Sequence, residues 1–353
     1  MTERLPRGIA TVAEIAGFDA IIDARAPGEF AEDHLPGALS MPVLNDEERA
    51  RVGTLYKQVS AFEAKKLGAA LVSRNVADHI ERHLLDKPKH WRPLVYCWRG
   101  GQRSGAFSHI LREIGWDAHR LQGGYKVWRR HVIEQLAQLP QGFRFRVVSG
   151  ATGSGKSRLL EALAAQGAQI LHLEQLAAHK GSVLGNLPDQ DQPAQKGFES
   201  MLYAELSRLD PRRPVFVEAE SRKIGRLQVP EALLEAIRGA DVLRIEAGLP
   251  ARVEFLLRDY DYAVADPGWL LARLANLRGL QSNETLERWQ KLVEAGDHAA
   301  LVEQLLTQHY DPLYERSQAR NYAAFDAAAR YVTDSLSPSA LDALATQILA
   351  TSA

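Results

Sequence analysis

Two short stretches of this 353-residue chain carry the side chains best able to do chemistry. The first, Cys97-Trp98-Arg99-Gly100-Gly101-Gln102-Arg103-Ser104, is built around the only cysteine. A cysteine that leaves a strand, passes through a glycine pair and enters a helix has backbone N–H groups converging on its sulfur. The helix N-terminus with Arg99 or Arg103 would then stabilise a thiolate and bind a tetrahedral anion beside it. A lone cysteine is more often buried and inert, but the glycines, the arginines and the strand-to-helix setting favour a nucleophile. The second stretch, Gly150-Ala151-Thr152-Gly153-Ser154-Gly155-Lys156-Ser157, matches Gly-x4-Gly-Lys-Ser in full. Backbone amides from Gly153 to Ser157 would wrap a diphosphate, Lys156 would add a cation, and the Ser157 hydroxyl could ligate magnesium. A reactive thiol and a phosphate cradle in one chain suggest group transfer.

These loops need strands and helices to hold them. Asp19–Arg25 reads as a strand before the turn Pro27-Gly28, residues 61–86 have helical spacing, and Pro93–Tyr96 reads as a short buried strand. Ser104–Ile114 should be a helix, and Leu139-Pro140-Gln141-Gly142 a linker, so that residues 1–138 form one α/β domain. Residues 143–353 form the other. There Phe143–Val148 reads as a strand into the glycine loop, Arg158–Ala165 as a helix, and Val215–Glu218 as a buried parallel strand. Glu218 would approach a magnesium ion on the loop, or else only hold Arg222 or Lys223. From residue 230 the pattern is mostly helical, including the Ala-rich stretch Ala323–Ala350.

Composition narrows the class. With 46% hydrophobic and 25% charged residues the chain is an ordinary globular protein, long enough for two cores. No apolar run reaches the ~20 residues of a membrane span, and the start Met1-Thr2-Glu3-Arg4 is polar, which predicts a cytoplasmic protein with no membrane partner. One cysteine permits no internal disulfide. Residues 1–86 hold 10 Lys/Arg against 14 Asp/Glu, whereas residues 87–131 hold 10 against 2, together with Trp91, Trp98, Trp116 and Trp128. Arginines interleaved with aromatics suit RNA, clamping phosphates and stacking unpaired bases, although some of these rings would belong to the core. His34, His79, His83 and His172 show no convincing ligand pattern, so no metal site is assigned.

Further segments around the cysteine make residues 1–138 resemble a rhodanese-like domain: Ile21-Ile22-Asp23-Ala24-Arg25, His34-Leu35-Pro36-Gly37-Ala38, and Gln122-Gly123-Gly124-Tyr125 with Trp128. The Cys-x5-Arg spacing of Cys97 and Arg103 also resembles arsenate reductases and dual-specificity phosphatases, and leaves room for a phosphate-sized ligand. A rhodanese-like domain followed by a P-loop domain is similar to the bacterial tRNA 2-selenouridine synthases. Thr54–Gln58, Lys66–Ala70, His179–Ser182, Gln192–Lys196 with Phe198-Glu199, and Val217–Gly225 resemble that family's other segments.

The resemblance implies an α/β fold in which a rhodanese-like domain precedes a P-loop NTPase-like parallel-sheet domain with a helical C-terminal region. It implies a transferase that S-geranylates the wobble 2-thiouridine of certain tRNAs from geranyl diphosphate, then replaces the alkylated sulfur with selenium from selenophosphate. An alkylated sulfur leaves more readily than a free thiolate. In that scheme Gly150, Gly153, Ser154, Gly155, Lys156 and Ser157 hold the diphosphate, with magnesium as a candidate aid. Cys97 acts in the selenium step, and Arg99, Gly100, Gly101, Gln102 and Arg103 bind selenophosphate. The anticodon stem-loop is the RNA partner, and an enzyme supplying selenophosphate is a candidate protein partner. The P-loop reads a diphosphate and not what is attached to it, so ATP stays open as its ligand, and a prenyl diphosphate would need an apolar trough as well. Two rivals stand beside this scheme: a sulfurtransferase or Cys-x5-Arg phosphatase fused to an NTPase, and a non-catalytic RNA-binding protein that senses a nucleotide.

Overall fold

A computed structural model of the chain describes residues 8–182, 184–314, 316, 322, 325 and 327–352. The polar start Met1–Arg4 and parts of the Ala-rich stretch from Ala323 lie outside the described residues. The chain divides into two compact units, Met1–Gln135 with Glu199–Ala204, and Leu136–Phe198 with Glu205–Ala353.

The first unit holds strands β1 (Ile9–Ala10), β2 (Ala20–Asp23), β3 (Leu39–Ser40), β4 (Pro93–Tyr96) and β5 (His119–Leu121). They form one parallel sheet in the order β1-β5-β4-β2-β3. Its helices are α1 (Pro27–Glu32), α2 (Asp46–Gln58), α3 (Ala61–His83), α4 (Gln102–Ile114) and α5 (Gly124–Leu136). All four residues of β4 are buried, as a central strand covered on both faces requires. Ser60 caps α3, its hydroxyl accepting from the Phe62 and Glu63 amides, and Ala64, Leu71, Val72 and Val76 form the buried stripe of that helix. The helix stops at His83, short of the expected residue 86, and α4 starts at Gln102, two residues before the expected Ser104.

The second unit is a parallel sheet of β6 (Phe145–Gly150), β7 (Gln169–Leu171), β8 (Val215–Glu218), β11 (Asp241–Ala247) and β12 (Ala329–Thr333), in the order β12-β11-β6-β8-β7. A two-stranded ribbon, β9 (Lys223–Ile224) and β10 (Leu227–Gln228), follows β8. The helices are α6 (Lys156–Ala165), α7 (Leu173–Leu176), α8 (Gln195–Arg208), α9 (Glu231–Arg238), α10 (Leu249–Asp259), α11 (Asp261–Ala265), α12 (Pro267–Leu274), α13 (Asn283–Glu294) and α14 (His298–Leu305). A π-helical turn, Leu306–Tyr310, continues α14, and a last helix spans Pro338–Ser352.

The region after residue 230 is mostly helical, as expected, but it also holds two strands that the pattern did not announce: β11 and β12 complete the sheet, and β11 pairs directly with β6. In Asp241–Ala247 both neighbours of the strand are filled, so most of its side chains are at least partly covered and the alternation that marks a strand is blurred. The supposed linker Leu139–Gly142 is a 3-10 turn with Pro140 buried and the Gln141 amide reaching the Ala232 carbonyl. Helices α11 to α14 build a separate apolar cluster around the fully buried Trp289. Among the described residues no helix is long and apolar enough to cross a membrane.

Candidate functional site

Cys97 directly follows the central strand of the first sheet, where parallel strands aim their loops at one edge. The thiol is buried, and its sulfur accepts a hydrogen bond from the Ser104 hydroxyl at 3.2 Å. The loop is clamped from behind by the start of α5: the Tyr125 amide donates to the Cys97 carbonyl and the Lys126 amide to the Trp98 carbonyl. A Cβ on Gly124, at φ +60°, would lie 2.1 Å from the Cys97 carbonyl oxygen and 2.4 Å from the Gly100 nitrogen. Only glycine permits that approach.

Beneath the loop lies a buried polar network. Arg25 pairs with Asp23 at 2.6 Å, donates to the Asp33 carbonyl, and stacks its guanidinium 4.0 Å from the Tyr125 ring centre. Burial works against that charge, but the Asp23 carboxylate outweighs it and raises the Arg25 pKa. Tyr96 donates to Asp23 and Tyr125 to Asp33. Burial pushes the Asp33 carboxyl above its ordinary value despite hydrogen bonds from Tyr125 and Ser200.

The arginines of the loop part company. Arg99 is exposed, whereas Arg103 is committed to Glu29 at 2.8 Å, and that pairing outweighs burial to lower the Glu29 pKa. Of the tryptophans in the basic stretch, Trp91, Trp116 and Trp128 are core residues. Trp98, 36% exposed and stacked on Tyr125, is the one ring of the four open to a base. His79 is spent on the Pro42 carbonyl at 3.0 Å, and no group of three or more metal-ligating side chains occurs among the described residues.

In the second unit the glycine loop runs from β6 into α6, with Gly153 at φ +79° and Gly155 at φ +76° turning the amides inward. Lys156 donates to the Gly150 carbonyl at 2.9 Å. Burial lowers its pKa in spite of three surrounding carboxylates, Glu174, Glu220 and Glu218. The Ser157 hydroxyl donates to Glu174 at 2.6 Å, not to Glu218. Glu218 is fully buried; its Oε1 takes hydrogen bonds from the Glu174 amide (2.8 Å) and from His172 Nδ1 (3.0 Å), and its Oε2 has no hydrogen-bond partner among the described residues. Burial, reinforced by mutual repulsion, raises the Glu174 pKa and raises that of Glu220 further. Arg252 fastens the loop from outside, donating to the Thr152 carbonyl at 2.9 Å while Asp311 holds its other edge at 2.6 Å.

The loop opens on a cleft of about 630 Å³, walled by Glu174, Glu220, His309 and the four tyrosines Tyr260, Tyr310, Tyr314 and Tyr322. Beside it lies an apolar recess between α10, α12 and α14, lined by Leu256, Trp269, Leu301 and Leu305. Cleft and recess share Thr152, Ser182, Leu256, Tyr260 and Tyr310 as wall residues. Sequence reading missed Glu174, the Arg252–Asp311 strap, the tyrosines and His309. Glu220 lay within the quoted segment Val217–Gly225, but nothing set it apart there from Glu218.

Comparison with known proteins agrees with this two-part build. A family described as tRNA 2-selenouridine synthase AAA domain matches residues 143–267, and the rhodanese-like domain family matches residues 10–131. A tRNA 2-selenouridine synthase of Bdellovibrio bacteriovorus is 34% identical over 343 residues, covering 86% of this chain and 89% of that protein. The protein of the same name from Marinobacter nauticus is 35% identical, covering 84% and 87%. That of Nitrosomonas europaea is 38% identical over 244 residues, covering 68% of this chain and 63% of the relative.

Proposed function

The chain belongs to the tRNA 2-selenouridine synthases, a family of tRNA-modifying transferases, and we propose that it works by geranylating 2-thiouridine and then exchanging the geranylated sulfur for selenium. The observation that carries the first step is the apolar recess sharing its walls with the phosphate loop. The loop grips only the phosphates of any ligand; a prenyl diphosphate also needs a dry channel for its tail, and the recess beside the cleft offers an apolar one. Lys156 and the loop amides bind the diphosphate, and Leu256, Trp269, Leu301 and Leu305 take the chain. The thiouridine sulfur attacks the allylic carbon, the C–O bond breaks, and diphosphate leaves with the electron pair into the field of Lys156. Ser157, Glu174 and Glu218 supply oxygen donors that suit magnesium, including the unsatisfied Glu218 Oε2. Such an ion would neutralise charge on the leaving diphosphate.

The selenium step belongs to the Cys97 loop. Selenophosphate binds at the start of α4, positioned by the Cys97 thiol and Arg99; selenium adds at C2 of the base, geranylthiol leaves, N3 regains its proton and water takes up the phosphoryl group. Trp98 offers a stacking face for the base beside the cysteine. A phosphatase of the Cys-x5-Arg type would require Arg103 on its phosphate, and Arg103 is instead held by Glu29.

Nucleoside mass spectrometry of an anticodon stem-loop RNA carrying 2-thiouridine tests the scheme. With geranyl diphosphate and selenophosphate, wild type should give 2-selenouridine. Cys97→Ala should stop at the geranylated base, and Lys156→Ala should leave 2-thiouridine untouched. A Lys156→Ala protein that geranylates at the wild-type rate would remove the diphosphate from the P-loop.

A further inference from the structure

Sulfur alkylation of a 2-thiouridine has a proton requirement that neither loop meets. The base enters as N3–H with a C2 thiocarbonyl and leaves as an imine-like C2=N3 bearing a thioether, so N3 must lose its proton as the S–C bond forms. A base is needed at the geranylation site, and it must be unprotonated when N3 gives up its proton.

The P-loop cleft contains a buried imidazole with an unused nitrogen. His309 is 3% exposed, and its Nε2 has no hydrogen-bond partner among the described residues. It sits on the π-helical turn Leu306–Tyr310, a distortion that re-aims side chains and is frequent at functional sites. The turn is tied to the phosphate loop through Asp311, Arg252 and the Thr152 carbonyl, and Tyr314, a few residues on, meets the Ser149 hydroxyl at 3.1 Å. Its neighbour Tyr310 borders both the cleft and the apolar recess, where head and tail of a prenyl diphosphate would meet. Burial lowers the His309 pKa, which keeps the ring neutral.

His179 is a second buried histidine in the cleft with a free nitrogen, Nδ1. It lies in a loop folded on itself, with its Cε1 close to Gly185; like His309 it borders the cleft and not the recess, but neither of its sequence neighbours lines the recess, whereas Tyr310 beside His309 does. His309 is the better placed of the two.

We propose that His309 is the general base that takes the N3 proton of 2-thiouridine during prenyl transfer, an inference that rests on the geranylation reading above. Gln281 Nε2 lies 3.1 Å from His309 Nδ1. A half-turn of that amide presents Oε1 instead, places the imidazole proton on Nδ1, and leaves the Nε2 lone pair to the cleft. The N3–H electron pair then becomes the second bond of C2=N3, the thiocarbonyl sulfur forms the S–C bond, the C–O bond breaks toward diphosphate, and Nε2 holds the proton.

The experiment measures single-turnover geranylation of the 2-thiouridine stem-loop by full-length wild type, His309→Ala and His309→Asn, with geranyl diphosphate affinity determined separately. Loss of a general base should slow the transfer by about 10²-fold or more, with geranyl diphosphate affinity unchanged. Added imidazole should restore much of the rate to His309→Ala, and His309→Asn, closer to histidine in size, guards against a folding artefact. A rate within about threefold of wild type in either variant overturns the proposal, against the size of effect expected of a base. A slow His309→Ala that imidazole does not rescue overturns it too. If wild type itself transfers no geranyl group, the reading beneath it fails instead.

Discussion

At the scale of single residues, glycine and a buried acid decide what the cysteine loop tolerates. Gly124→Ala places a methyl group against the Cys97 carbonyl and the Gly100 nitrogen, in a left-handed backbone that alone costs about 1–2 kcal/mol. It should lower the denaturation midpoint and abolish selenium transfer while geranylation persists, which denaturant melts and nucleoside analysis would show together. Asp33 gives a pH prediction. Its folded pKa is raised by burial, so its stabilising contribution is complete below the ordinary carboxylate range and is lost as pH rises through the raised value. Asp33→Asn keeps an oxygen for Tyr125 and Ser200 and removes the charge. The variant should melt higher than wild type at neutral pH, and the gain should shrink to nothing in acid. A gain that grows on acidification would reverse the sign of the argument. The residue types of both loops were readable from sequence, because Cys97 with its glycines and Lys156 in its motif are local patterns. The partners of Arg103 and Ser157 were not, since Glu29 and Glu174 are 74 and 17 residues away from them.

At the scale of elements, the phosphate loop depends on a strap from another part of the chain. Asp311→Ala would leave the buried Arg252 guanidinium without its carboxylate and cost about 3 kcal/mol. Geranyl diphosphate affinity should fall with it, and calorimetry on the folded variant would separate the two effects; unchanged affinity would make the strap purely structural. Strands β4 and β8 were legible as short apolar runs and β6 as an alternating stretch, and α3, α4 and α6 as periodic or loop-flanking helices. β11 was hidden because a strand covered by two neighbours lacks alternation, and β12 because it is a five-residue edge strand with only Tyr331 buried, while the surrounding run of helices set a misleading expectation.

At the scale of the whole molecule there are two compact units, each with its own parallel sheet and candidate loop, and the proposed scheme gives each unit one of the two steps. If the geranylated RNA is released between steps, Cys97→Ala and Lys156→Ala proteins mixed together should restore 2-selenouridine that neither makes alone. Persistent failure of the mixture, with each variant competent in its own half-reaction, would mean that the RNA is never released. By itself the amino-acid sequence determined the two-unit α/β plan, the two glycine-bearing loops and the family, because each is written in contiguous motifs whose chemistry is local. Only the tertiary structure decided which arginine is free, that three of four tryptophans are core, that Glu174 and not Glu218 meets Ser157, and that a buried histidine lines the cleft at the glycine loop with an apolar recess beside it. Those features arise where side chains far apart in sequence exclude water from a shared space, and burial and pairing depend on every neighbour at once.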